Sequence, residues 1–110
     1  LGTPTNASDL AKTCLDILSY SKETNINAKG NVYHYSNEGV ASWYDFARAI
    51  MELGKIECQV RPIETKDYPT AAKRPHYSVL NKSKIKKDFE IEIPYWRASL
   101  AECISKLNQE

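Results

Sequence analysis

At 110 residues the chain makes one domain at most, and its 42% apolar and 26% charged residues are those of an ordinary globular protein. A net charge of +1 gives no electrostatic basis for gripping nucleic acid or an anionic membrane surface. No run approaches the roughly 18 apolar residues of a membrane span, and the first residues lack the basic-then-apolar layout of a signal peptide.

The opening "LGTPTNASDL" has no methionine and reaches a helix cap by Asn6, as a piece cut from a longer protein would. Asn6 caps a first helix with Asp9 in its opening turn, and Leu10, Cys14, Ile17 and Leu18 repeat at helical spacing to about Tyr20. A polar loop ending in a Gly-Asn turn follows, and then "VYHYS" (32–36) has strand composition. "SWYD" (42–45) is a capping-box pattern, with Asp45 in place of the usual glutamate. Phe46, Ile50 and Leu53 form the buried stripe of that second helix, and Gly54 stops it. "CQVRPI" (58–63) reads as a short strand that ends at Pro62. Asn81 caps a short helix through Phe89, and Pro94 opens the last one, whose apolar face is Trp96, Leu100, Cys103, Ile104 and Leu107. The order is α-β-α-β-loop-α-α. The fold class is therefore α/β, a small mixed domain that is mainly helical with a few short strands. So thin a sheet needs more cover than this chain provides, and an upstream domain is expected to supply it.

Chemistry-bearing patterns are sparse. The glycines form neither G-x-G-x-x-G nor a P-loop, and no spacing suggests a Ser-His-acid or Cys-His set. Cys14, Cys58 and Cys103 are odd in number and make no C-x-x-C, so a reduced, cytoplasmic protein without disulfide or structural zinc is expected. His34 reads as a structural histidine, and Asp9, Asp16, Glu90 and Glu92 as solvated charges. Lys82, Lys84, Lys86 and Lys87 read as a polar helix face, and Trp43 and Trp96 as core. The loop "ETKDYPTAAKRPHY" (64–77) stands out because it contains no glycine and is stiffened by Pro69 and Pro75. Each proline disfavours the α region for the residue before it, which pre-positions Arg74 for a planar anion. A structural ion pair for Arg74, with Tyr68 and Tyr77 packed beneath, fits the composition equally well. The residues alone lead to half of a binding site with no catalyst.

Four stretches in the same order carry a resemblance: "GTPTNASDLA", "GNVYHYSNEGVASWYDFARAI", "VRPIETKDYPTAAKRPHYSVLNKSKI" and "IPYWRASLAECI". Together they resemble the C-terminal part of the dTDP-4-dehydrorhamnose reductase family of extended short-chain dehydrogenase/reductases. The resemblance implies reduction of the C4 ketone of dTDP-4-dehydro-6-deoxy-L-mannose to dTDP-L-rhamnose for surface polysaccharide. It implies NADPH or NADH bound by an N-terminal Rossmann domain that also carries a Tyr-x-x-x-Lys catalytic pair. That pair is not in this chain: Tyr20 is followed four residues on by Thr24, Tyr33 by Asn37 and Tyr77 by Asn81. Residues 1–110 then correspond to the C-terminal sugar-nucleotide-binding subdomain of a Rossmann-type enzyme, inert on its own. Its implied partners are a dTDP-sugar and its own N-terminal domain, with a homodimer left open and neither nucleic acid nor membrane involved. Carried over, the resemblance puts Arg74 near the diphosphate and the segment with Thr3 and Thr5 beside the sugar, with Tyr68 and Tyr77 as further substrate contacts. Tyr77-Ser78 replaces the family's Asn-Ser, which alters any hydrogen bond made there. Two other readings fit less of the pattern: the C-terminal domain of a related epimerase or dehydratase, and a stand-alone binding module.

Overall fold

The computed structural model describes residues 1–24, 30–63 and 71–108. Its described part is mainly helical: α1 (Ala7–Thr24), α2 (Trp43–Gly54), α3 (Ser83–Phe89) and α4 (Trp96–Leu107). Neither expected strand forms. Residues 32–36 and 58–63 pair with no neighbouring strand, and sheet pairing among the described residues is limited to two isolated bridges, Gly2 with Ala41 and Glu38 with Tyr95. Strand composition favours extended backbone but cannot supply a partner. Here residues 32–36 lie instead against α3, where the Tyr33 ring meets Phe89 at 5.0 Å and its hydroxyl donates to Asp88 at 2.8 Å.

The helix ends follow local chemistry. Asn6 precedes α1, and its side-chain oxygen accepts from Ser8 N at 2.8 Å. At α2 the full capping box is present: Asp45 N donates to the Ser42 hydroxyl and Ser42 N to the Asp45 carboxylate, each at 3.0 Å. The bond from Ser42 N first, and the Ser42 hydroxyl second, hold the Asp45 carboxyl below its usual range. The stop is not at Gly54, which remains helical; Lys55 takes the left-handed position at φ 54°. Asn81 accepts from Ser83 N at 3.0 Å just ahead of α3, whose cap position is Lys82.

Two helix pairs carry the core. In one, α2 packs on α4 through Ala41, Ala49 and Trp96, with Phe46 and Leu100 alongside. Arg97 and Arg48 both reach Glu52 across the outside of this pair, at 2.9 and 3.5 Å. In the other, α1 meets α3, with buried Ile85 and Phe89 and an edge-on Tyr20–Phe89 contact at 5.9 Å. Trp96 is core, as expected, but Trp43 is not; it is 73% exposed. It stands at the first position of α2, touching Phe46 edge-on at 6.1 Å, beyond the part of the helix that α4 covers. The expected apolar stripes are also only half buried. Leu10, Cys14 and Leu18 on α1 and Cys103 and Leu107 on α4 are exposed, while Thr13 and Ser99 are buried.

Gly39 links the two pairs at a position that demands glycine. Its φ is 98°, and a methyl there would lie 2.5 Å from Tyr95 Cε1 and 2.8 Å from Trp96 Cδ1. Gly39→Ala is expected to destabilise the protein by about 1–3 kcal/mol through backbone strain and overpacking. An unchanged urea midpoint would show that both rings can retreat.

Candidate functional site

Three backbone segments lie side by side. Gly2 N donates to Ala41 O at 3.0 Å and Ala41 N to Gly2 O at 2.8 Å. On the other side, the Leu1 amino group donates to His76 O at 2.6 Å, and Ser78 N donates to Leu1 O at 2.7 Å. The stretch just after Arg74 is thereby fastened to the segment that carries Thr3 and Thr5. Two parts of the sequence 75 to 77 residues apart, both expected at a substrate, are brought together by backbone bonds.

The individual side chains divide into two groups. Arg74 is exposed, and its guanidinium has no hydrogen-bond or ion-pair partner among the described residues. Tyr77 is 61% exposed. Among the described residues, then, nothing supports an ion pair with Arg74 or a Tyr77 ring packed under it. Tyr68 lies outside the described residues. Thr3 and Thr5 instead spend their hydroxyl protons within the chain. Thr3 Oγ1 donates to Gly39 O, and Thr5 Oγ1 donates to Thr3 O at 3.2 Å while accepting from Asn37 N at 3.3 Å. A hydroxyl has one proton to give, so in this arrangement neither threonine can donate to a phosphate.

What fixes this arrangement is Asn37, which is fully buried. Its side-chain oxygen accepts from Asn6 N at 2.7 Å, and its amide nitrogen donates to Asp9 Oδ2 at 2.9 Å and Pro94 O at 3.3 Å. Asp9 also accepts from the Ser99 hydroxyl, and Asn6 donates its own amide to Ser99 O at 3.1 Å. Asp9 is thus a partner in a semi-buried network and not the solvated charge that its helix position suggests. Lys82 departs further from expectation: it is 8% exposed, and its ammonium reaches Asn37 O at 2.8 Å and Glu38 Oε1 at 2.9 Å. Lys86 approaches the same Glu38 oxygen at 3.0 Å. Lys82 first and Lys86 second hold the Glu38 carboxyl below its ordinary range. Lys84 lies over the Tyr33 ring at 4.5 Å and donates to Val32 O at 2.8 Å. The lysine run is therefore largely a set of structural anchors. No sequence signal marked Asn37, because an asparagine between Ser and Glu reads as loop.

Catalytic equipment is not found among these residues. The described residues hold no cluster of His, Cys, Asp and Glu able to bind a metal, and none of their helices is long and apolar enough to cross a membrane. His34 and His76 are both exposed.

Residues 1–109 match the RmlD substrate binding domain. Among curated proteins, the chain is 34% identical over 106 residues to the spore coat polysaccharide biosynthesis protein SpsK of Bacillus subtilis. It is 36% identical over 108 residues to a dTDP-4-dehydrorhamnose reductase of Aggregatibacter actinomycetemcomitans. These alignments cover 96% and 91% of this chain but only 34% and 36% of those proteins, so the chain spans about a third of the length of the relatives it matches. A crystal structure of the dTDP-4-dehydrorhamnose reductase of Clostridium acetobutylicum superposes with a TM-score of 0.82 at 36% identity, over 97% of this chain and 36% of that one. The Bacillus anthracis reductase in complex with NADP gives the same TM-score at 27% identity, over 96% of this chain and 35% of that one. With the fastened segment, the Asn37 network and all four helices inside the matched span, the chain belongs to the RmlD substrate binding domain family.

Proposed function

We propose that this chain is the sugar-nucleotide-binding portion of an NAD(P)H-dependent dTDP-4-dehydrorhamnose reductase that makes dTDP-L-rhamnose for surface polysaccharide. One observation carries the reading: the family match runs from residue 1 to 109, and relatives bearing that activity in their names align over nearly the whole chain. The geometry agrees with the role. Arg74 is an unengaged guanidinium among the described residues, on a segment tied to the start of the chain, and its fork can take two oxygens of a diphosphate. The Thr3 and Thr5 hydroxyls have given their protons within the chain but keep lone pairs that can accept, which suits sugar hydroxyls better than phosphate.

The chain has no glycine-rich loop, so its residues do not fit a dinucleotide; NADPH or NADH belongs on a Rossmann domain outside this sequence. That cofactor, when bound, supplies a hydride to C4 of the sugar, and the other domain supplies the proton to the resulting oxygen. Residues 1–110 hold the nucleotide and present the sugar. Cytoplasmic synthesis fits such a substrate, whose charged diphosphate cannot cross a bilayer unaided.

The test is a coupled assay in which the whole enzyme receives dTDP-4-dehydrorhamnose and reduced cofactor. Cofactor oxidation that depends on the keto sugar, with dTDP-rhamnose as product, is expected. The 110-residue chain alone should give only background. Keto-sugar-dependent turnover by the chain alone, or none by the whole enzyme, overturns the proposal.

A further inference from the structure

Helix α1 carries two apolar faces, and the described chain covers one of them. Asp9 is bonded by Asn37 and Ser99, Thr13 is buried, Ile17 is half-buried and the Tyr20 ring meets Phe89, so these residues face the rest of the chain. At helical spacing, Leu10, Ala11, Cys14, Leu15 and Leu18 fall on the adjoining face. All are exposed, the leucines to 44%, 66% and 68%. Ser8, Lys12, Asp16, Ser19 and Glu23 form a polar strip on what is left. A helix with so wide an apolar surface is one packed from two sides, and a contiguous exposed patch of this kind marks a contact.

Residues 32–36 show the same imbalance. Tyr33 packs on Phe89 of α3 and Tyr35 is hydrogen-bonded by Thr13 of α1, so one side of this stretch faces the helices. Val32 and His34 alternate with them, as in extended backbone, and are exposed, Val32 to 70%. The stretch pairs with no other strand among the described residues, although its composition is that of a strand. A helix that leads into a strand, each uncovered on one side, is the latter part of a strand–helix–strand crossover. The missing part is a parallel strand beside residues 32–36 and under α1.

We infer that residues 32–36 add as an edge strand to the parallel sheet of the cofactor domain, and that the face of Leu10, Cys14 and Leu18 packs over the neighbouring strand. This rests on the reductase reading above, in which a Rossmann domain outside this sequence binds the dinucleotide. Such a domain supplies what the open surfaces need, a parallel sheet covered by crossover helices. A second copy of this chain brings no such sheet among its described residues. Chain direction agrees. The carboxyl end of residues 32–36 runs into Asn37 and Gly39, which bond Thr5 and Thr3. Open parallel sheets hold ligands at the carboxyl ends of their strands, so the docking sets this segment on the ligand side of the cofactor domain.

The test uses the whole enzyme. Amide hydrogens of residues 33–35 should exchange at least about a hundredfold more slowly than in unfolded chain, and Cys14 should resist a thiol reagent until the enzyme is denatured. Leu18→Ser, harmless at a site facing water, should lower the melting temperature by about 5 °C or more, while Lys12→Ala leaves it within about 1 °C. A photo-cross-linking amino acid at position 15, in a mixture of isotope-light and isotope-heavy enzyme, should join α1 to the cofactor domain of its own chain. Fast exchange at 33–35, a reactive Cys14 in the native enzyme, a melting temperature unmoved by Leu18→Ser, or light-to-heavy cross-links from a second copy each overturn the docking. Keto-sugar reduction by the same preparation would then leave the reductase reading standing. A whole protein that neither binds reduced cofactor nor reduces the keto sugar overturns both.

Discussion

Asn37→Ala is expected to lower the unfolding free energy by about 3–5 kcal/mol, a large share of the stability of a domain this size. The side chain makes bonds to Asn6 N, Asp9 Oδ2 and Pro94 O, from a position with no exposed surface. Truncation leaves the Asn6 amide and the Asp9 carboxylate short of a partner, and each such group costs about 1–3 kcal/mol when water cannot replace it. The loss is also structural in reach. The α1/α3 and α2/α4 pairs each have a thin core, and Asn37 ties α1, through Asp9, to the Pro94 turn that opens α4. The described core contains only Ala41, Ala49, Ile85, Phe89 and Trp96 as buried apolar residues, too little to compensate. Asn37→Asp should be no milder, because it sets a second carboxylate against Asp9. Asn31→Ala, on exposed chain, should shift stability by no more than about 0.5 kcal/mol. Urea midpoints read the difference, and an Asn37→Ala midpoint equal to that of Asn31→Ala would refute the network's role.

The features legible in the sequence are those decided within a few residues. Ser42 and Asp45 form their capping box because both partners lie in one turn, and Asn6 and Asn81 bond two residues on for the same reason. Arg74 was conspicuous because its proline neighbour and glycine-free loop are local facts. Features decided by distant partners were illegible. Asn37 joins groups 28 to 62 residues away, and Lys82 is buried only because Glu38 and Asn37 O lie 44 and 45 residues upstream. A lysine run at a helix start reads as solvated unless those partners are known. Periodicity misled in a different way. It identified apolar positions such as Leu10, Cys14 and Leu18, yet spacing says which residues share a face and nothing about what covers it. The strand expectation at 32–36 failed on the same ground, since a strand is completed by its neighbour.

Arg74→Ala in the whole enzyme should raise the dissociation constant, or KM, for the dTDP-sugar by about ten- to a hundredfold. A hydrogen bond to a charged group contributes roughly 1.5–3 kcal/mol, which converts to that factor. The fold should not notice the change, because the guanidinium is exposed and has no partner among the described residues, so the melting temperature should stay put. Arg74→Lys should restore only part of the affinity: lysine keeps the charge but loses the planar fork that takes two phosphate oxygens at once. Cofactor affinity should be unchanged, since the dinucleotide is proposed on another domain. The four measurements together separate a ligand contact from a structural one. A residue that merely held the loop would, on truncation, lower the melting temperature and disturb sugar nucleotide and cofactor alike, and charge restored by lysine would recover little. Should Arg74→Ala keep full affinity for the sugar nucleotide while melting earlier, Arg74 is a loop anchor, and the diphosphate lies elsewhere.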